Sequence, residues 1–496
     1  MPDPAPPPDS GVLALGIARS AVRGTVFAYV ARYGGQGLGF ISTIVLARTL
    51  SQEQFGLAGF ALVVTGFLEI LRGFGIGAAV IYLGDEPRRR DTAFYLAIAS
   101  GLLLYASTWA IAPLAASFFG DDRVTEMTRV LALSFPIAAF STVHRALLDK
   151  RLAFGRRVVP ELGRGAGKAA VAIALALAGF GAWSIVWGQV AGVALESALL
   201  WWSFPWRPVS RPRRAHVGPL LGYGWRSALV DLFGVLLLNV DYLIVGRMMG
   251  ASALGLYTVA FRIPELVVKQ LSAVVGSVTF PVYAALRHDT TSLRNGYLQS
   301  LRYLAMALTP MAVGLVLVAE PLVVTLFGRR WADAAPVMQA LALYSLVRGL
   351  TYGSGSLLRA SGRPGLLTVM SMFQLALLVP ALWWSASATG ALVAVAWAQV
   401  VVVTLTSVVR LTISAAPIGV TLWRQLRCLV PAVGMSLVMA LAVLAVGHAV
   451  PNWTAQARLV VLVVTGVGSY ALALLVFAGK DVRAMALKAR RAFTPP

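Results

Sequence analysis

The chain is short of charge. Asp, Glu, Lys and Arg together make up 12% of its 496 residues, about half the share usual in a soluble globular domain. It is shorter still of cysteine: with Cys428 alone, no internal disulfide and no cysteine-based metal cluster can form. The four histidines, His144, His216, His288 and His448, are never at metal-ligand spacing, and all fall where loops or span edges are expected. Solvated surface is their expected place. No nucleophile–base constellation is visible, so enzyme chemistry is not expected. Gly163-Arg164-Gly165-Ala166-Gly167-Lys168 has the look of a phosphate loop, but Leu162 stands in place of its first glycine and Ala169 in place of its Ser/Thr. ATP hydrolysis by this chain is not expected either.

What is abundant is apolar. The sequence is 58% hydrophobic with a mean hydropathy of +0.77, the composition of an integral membrane protein. About fourteen windows of roughly 20 apolar residues read as transmembrane helices. Their limits are 24–47, 57–83, 92–117, 127–148, 159–179, 182–203, 220–246, 256–281, 297–326, 334–358, 365–386, 389–412, 424–447 and 457–478. Breaks coincide with clusters such as Gly84-Asp85-Glu86-Pro87 and Phe119-Gly120-Asp121-Asp122.

Lys and Arg exceed acids by a net charge of +22. They concentrate in alternate connections, at Arg88 to Arg90, Arg145 to Arg157 and Arg207 to Arg214, and in the tail from Lys480. That is the positive-inside pattern, and it predicts cytoplasmic termini. Nucleic acid is not an expected partner. Met1 to Ser10 is Pro-rich and expected to be disordered, and Val12 to Val22 reads as an amphipathic segment on the cytoplasmic surface.

The chain repeats itself. Leu46-Ala47-Arg48 and Phe55-Gly56-Leu57 return as Val245-Gly246-Arg247 and Leu254-Gly255-Leu256. Pro113-Leu114 and Phe119-Gly120 return as Pro321-Leu322 and Phe327-Gly328. Leu131-Ala132-Leu133 and Leu147-Leu148 return as Leu341-Ala342-Leu343 and Leu357-Leu358. The expected fold class is therefore an all-α membrane protein of two six-helix lobes related by pseudo-two-fold symmetry, with two extra C-terminal helices. The expected order is an N-terminal segment 1–23, an N-lobe 24–204 and a basic cytoplasmic linker 205–219. A C-lobe 220–412, an appendage 413–479 and a basic tail 480–496 follow.

Charges lie inside these spans: Arg32; Glu69 and Arg72; Glu161, Arg164 and Lys168; Glu196; Arg226, Asp231 and Asp241; Arg262, Glu265 and Lys269; Arg302; Glu320; Arg348. Facing lipid they would cost on the order of 40–55 kcal/mol at helix-centre insertion values. A water-filled cavity between lobes resolves that conflict. Arg262, Glu265 and Lys269 share one helical stripe, as do Glu161, Arg164 and Lys168. Some pairs, Glu69 with Arg72 above all, also read as intrahelical ion pairs that let a helix insert. With nine cations and seven anions, the cavity suits a polar, partly anionic cargo.

Several of these stretches in order carry a family resemblance. They are Leu46-Ala47-Arg48 with Phe55-Gly56, Gly179-Phe180-Gly181-Ala182-Trp183, and Asp241-Tyr242-Leu243-Ile244-Val245-Gly246. Leu254-Gly255-Leu256-Tyr257, Ala260-Phe261-Arg262, Phe280-Pro281 and Gly328-Arg329-Arg330-Trp331 complete the set. From about Thr25 to Arg410 the chain resembles the Wzx-type polysaccharide-biosynthesis flippases of the multidrug/oligosaccharidyl-lipid/polysaccharide superfamily. The resemblance implies a carrier of undecaprenyl-diphosphate-linked oligosaccharide, an exopolysaccharide, O-antigen or capsule unit, across the bacterial inner membrane by alternating access. Asp241 and Arg262 fall on motif positions, whereas Arg32, Arg72, Arg164 and Arg226 are cavity inferences. Arg329-Arg330-Trp331, read as an exposed loop, departs from the family's more acidic or mixed pattern. Implied partners are the lipid-linked oligosaccharide, membrane lipids, and a polymerase and glycosyltransferases. No cofactor is expected; a coupling ion, proton or sodium, is left open. The alternatives are a cation-coupled multidrug antiporter on the same scaffold, which the many cations disfavour, and a lipid II flippase.

Overall fold

The computed structural model describes residues 34–70, 75–83, 86–151 and 153–493; every regular element among them is helical and none is a strand. Arg32 and Arg72 lie outside the described residues, as do the side chains of Arg226, Asp231 and Lys269. Eight segments are long and apolar enough to cross a membrane. They are Pro87–Phe119, Trp183–Ser203, Asn239–Val267, Thr290–Phe327, Gly365–Thr389, Leu392–Ile418, Leu422–Ala449 and Ala455–Phe477. A ninth arises if Arg123–Ala139 and Thr142–Lys150, bent by 49°, are one broken span. This is a multi-span membrane protein. Part of the shortfall from the expected fourteen has a physical source: the helix Phe154–Leu177 carries Arg156, Arg157, Glu161, Arg164 and Lys168, too many charges to qualify on hydropathy.

The chain divides into two compact units, residues 1–239 and 240–496. The first opens with α1 (residues 34–49), α2 (Gln52–Ile70), α3 (Ile76–Tyr82) and α4 (Pro87–Phe119). Three short helices follow, α5 (Arg123–Ala132), α6 (Ser134–Ala139) and α7 (Thr142–Lys150), then α8 (Phe154–Leu177) and α9 (Trp183–Ser203). Helices α8 and α9 approach backbone to backbone. A Cβ on Gly192 would stand 2.8 Å from the Arg164 carbonyl oxygen, and one on Gly188 2.6 Å from the Ala172 Cβ. Small residues at such a seam let dispersion and polar contacts join helices where lipid removes the hydrophobic drive.

The basic segment after α9 is tied down. Asp91, 3% exposed, accepts from the backbone N–H of Val209 at 3.2 Å and Ser210 at 2.8 Å. Thr92 Oγ1 accepts from the Arg213 N–H at 3.1 Å, and Arg90 lies over the Trp206 ring at 5.0 Å. His144 corrects the expectation of solvated surface. It is wholly buried, with Nε2 3.0 Å from the Trp206 carbonyl oxygen and its ring 4.3 Å from Trp201. A polar residue beside a predicted loop found a buried partner in the next connection. Asp91→Ala leaves two backbone donors without their acceptor, a loss of ~1–3 kcal/mol. Trypsin cleavage after Arg213, where no proline follows, is expected to quicken about ten-fold, read by electrophoresis of the nicked chain; an unchanged rate would show that Asp91 does not hold the strap.

The second unit takes the end of α10 (Arg214–Ala285), a helix broken at Gly250 (φ 83°, ψ −176°), where a turn between spans was expected. It continues through α11 (Thr290–Phe327), α12 (Ala334–Leu350), α13 (Tyr352–Ala360), α14 (Pro364–Thr389), α15 (Leu392–Ala415), α16 (Leu422–Ala449) and α17 (Ala455–Phe493). Asp289 caps α11 by accepting from the Thr291 and Ser292 N–H groups. Helices α16 and α17 pack on α11 through Val318, Met439, Val443 and Leu462, and Tyr470 donates to the Met306 carbonyl at 2.7 Å. Trp331, expected in an exposed loop, is fully buried; its one-turn helix Arg329–Trp331 tucks the indole inward and leaves Arg329 and Arg330 exposed.

The order of elements repeats. α4 and α11 end one residue before glycines of positive φ, Gly120 (73°) and Gly328 (99°), and each carries a proline inside its last two turns, Pro113 and Pro321. The nine-residue α7 and α13 begin 210 residues apart (142 and 352), and Leu147, Leu148, Leu357 and Leu358 are all buried.

Candidate functional site

Polar chemistry gathers at one place in each unit. In the first unit, Glu196 of α9 is 5% exposed and accepts from two arginines, Arg145 of α7 and, at 3.2 Å, Arg164 of α8. Alongside, Arg157 donates to Asp149 at 2.5 Å and to Glu161 at 2.6 Å. Lys168, one turn after Arg164, is half-buried. The expected stripe of Glu161, Arg164 and Lys168 is therefore divided: Glu161 pairs within its helix, while Arg164 reaches across to α9. Arg145 was missed as a member because its basic neighbours placed it in a loop. Arg145, Arg157 and Arg164 thus stand among Glu196, Asp149 and Glu161, and guanidinium groups can meet an anion with bidentate donors.

In the second unit Asp241 of α10 is 5% exposed. Its Oδ2 accepts from the Tyr257 hydroxyl at 2.7 Å and from Gln399 Nε2 of α15 at 2.8 Å. Aromatic rings enclose this pair: Tyr242 lies 5.3 Å from Tyr257 and Phe261 5.8 Å from Tyr344, centre to centre. Arg348 of α12 donates to the Tyr344 hydroxyl at 3.5 Å and lies within electrostatic reach of Asp241 and Glu265. Arg262 is half-buried, and its buried Nε has no hydrogen-bond partner among the described residues. Glu265 follows one turn later, and Arg302 is half-buried on α11. Tyr257, Tyr344 and Gln399 escaped the sequence because none is charged. Gln399 did leave a signal, since Trp187-Gly188-Gln189-Val190 of α9 returns as Trp397-Ala398-Gln399-Val400 of α15. No group of three or more His, Cys, Asp or Glu among the described residues could hold a metal ion.

Half-buried arginines gather in both units. Residues 45–336, more than half of the chain, match the family of polysaccharide biosynthesis proteins. The chain belongs to that family. TuaB of Bacillus subtilis (strain 168), a teichuronic acid biosynthesis protein, is 29% identical over 352 residues, 68% of this chain and 70% of TuaB. WzxC of Escherichia coli (strain K12), a lipopolysaccharide biosynthesis protein, is 26% identical over 363 residues, 72% of this chain and 73% of WzxC. Among solved structures, the lipid II flippase MurJ in its inward closed conformation is similar with a TM-score of 0.74 and 13% identity, covering 92% of this chain and 100% of that one. At that identity the likeness is one of fold. The family expected from Leu46-Ala47-Arg48, Asp241 to Gly246 and Ala260-Phe261-Arg262 is the one found.

Proposed function

We propose that this polysaccharide biosynthesis protein is a flippase that moves an undecaprenyl-diphosphate-linked oligosaccharide across the bacterial inner membrane. The observation that carries the proposal is the Arg145–Glu196–Arg164 cluster, half-buried guanidinium groups around a buried carboxylate in helices of a membrane protein. Relatives named for teichuronic acid and lipopolysaccharide biosynthesis support it. Guanidinium groups hold the diphosphate through charge-assisted hydrogen bonds while the lipid tail stays in the bilayer. Transport by alternating access needs two states, and the proposal gives them to two six-helix lobes within fourteen spans, both termini cytoplasmic, with α16 and α17 as an added pair. No covalent step and no cofactor are required. Membrane lipids, a polymerase and glycosyltransferases are the partners proposed.

Arg32, Arg72, Arg164, Lys168, Arg226, Asp231, Asp241, Arg262, Glu265, Lys269, Arg302 and Arg348 are the proposed cargo-facing residues. Among them Arg262, with its buried unpartnered Nε, is the sharpest test. In a deletion strain, Arg262→Ala is expected to lower surface polysaccharide at least ten-fold at normal membrane abundance, and Arg262→Lys to restore it in part. Full export by Arg262→Ala would remove that residue from the path. A deletion strain that stays viable separates this function from lipid II transport, and unaltered drug susceptibility separates it from multidrug export.

A further inference from the structure

The second unit contains a buried carboxylate whose surroundings are one hydrogen short. Both hydrogen bonds to Asp241, from Tyr257 and from Gln399 Nε2, arrive at Oδ2. Oδ1 is buried and has no partner among the described residues, and the same holds for Oε1 of Gln399. Both are acceptors, so neither satisfies the other. The carboxyl and the amide are already joined by one N–H···O bond. A single hydrogen on Oδ1, donated to Oε1, would give both stranded acceptors a role: amide N–H to acid carbonyl, acid O–H to amide carbonyl.

We propose that Asp241 and Gln399 form a proton-binding acid–amide pair, protonated in this conformation. The site takes one proton from water onto Oδ1, which neutralises the carboxyl; release returns the proton to water and leaves a carboxylate facing Tyr257. Groups around it are Tyr242, Tyr257, Arg262 and Glu265 on α10 and Tyr344 and Arg348 on α12. Helix α15 contributes uncharged Gln399, with Arg410 further along it near Arg348. Asp241 makes no ion pair with a described cation; Arg348 acts on it only at longer range.

The repeat supplies an independent observation. Gln399 has its counterpart in Gln189, but Ser42 stands where Asp241 does and Ala58 where Tyr257 does. The first unit keeps the amide and lacks the acid, so the fold does not require one at this position. Its presence in the second unit answers to use. Resting on the flippase proposal, that use is coupling of cargo movement to protons.

Infrared spectroscopy of the purified protein in liposomes at neutral pH tests the pair without any cargo. A protonated-carboxyl C=O band is expected, lost in Asp241→Asn, kept in Glu265→Gln, and shifted upward in Gln399→Leu, where the amide acceptor is gone. A spectrum unchanged by Asp241→Asn overturns the proposal, and so does a band that vanishes on adding sodium chloride at constant pH, which would make this a sodium site. Either failure leaves the transport proposal standing. With a pH dye enclosed in the liposomes, lipid-linked oligosaccharide should drive proton movement through wild type and none through Asp241→Asn; equal movement by both would overturn the coupling role.

Discussion

Glu196→Ala is expected to lower the thermal stability of the detergent-solubilised protein by about 3 kcal/mol. The loss has two parts. Arg145 and Arg164 keep their charge and lose the carboxylate that both address, and the space beside α8 and α9 is left without its acceptor. Breaking a buried pair by removing one partner costs more than the pair was worth, because a desolvated charge stays behind. The low end of the usual ~3–5 kcal/mol range applies because about a third of each arginine side chain is uncovered by protein. Glu196→Gln keeps an oxygen for one arginine and should fall between. Melting followed by size-exclusion recovery after heating reads the order wild type, Gln, Ala. If Ala melts with wild type, the cluster holds nothing together and its arginines are free to serve cargo alone.

Gly192→Leu should prevent folded protein from accumulating in the membrane. The new Cβ would press on a backbone carbonyl, that of Arg164, and on the Lys168 Cβ at 2.9 Å, so no rotamer change relieves it. Overfilling a tight seam costs about 1–3 kcal/mol. Here α8 and α9 must also part, and Glu196, one turn beyond Gly192, loses its reach to Arg164. Gly192→Ala should insert but melt early. Gly434→Leu on α16, where an added Cβ meets nothing within 4 Å, is the control expected to behave as wild type. Equal accumulation of Gly192→Leu and Gly434→Leu, measured by fluorescence of a C-terminal fusion, would show that the seam can open.

What the residues alone revealed was local in origin. Glycine after Phe119 and Phe327, proline within the preceding turns, and paired leucines at 147–148 and 357–358 recur because each unit stops and turns its helices with the same chemistry. Hydropathy marks apolar runs well and marks charged ones badly, which is why α8 is a helix in the structure but not one of the eight apolar spans. Partnership across helices is what a linear sequence hides. Spacing placed Arg164 beside Glu161, yet the hydrogen bond runs to Glu196, 32 residues on. The basic run read Arg145 as part of a connection and His144 as a span edge, and both turn inward to partners on or beyond α9. Gln399 carried no charge to draw notice, and only its echo in Gln189 betrays a constrained position.

Matching helix order with unlike side chains has an evolutionary consequence. At the places taken by Arg145, Arg164 and Glu196, the later half has Gly355, Gln374 and Thr406. The first unit carries the charged cluster and the second the Asp241–Gln399 pair, and neither set recurs whole in the other. Residues around Arg145, Arg164 and Glu196 can therefore change without altering the Asp241–Gln399 pair, and the reverse.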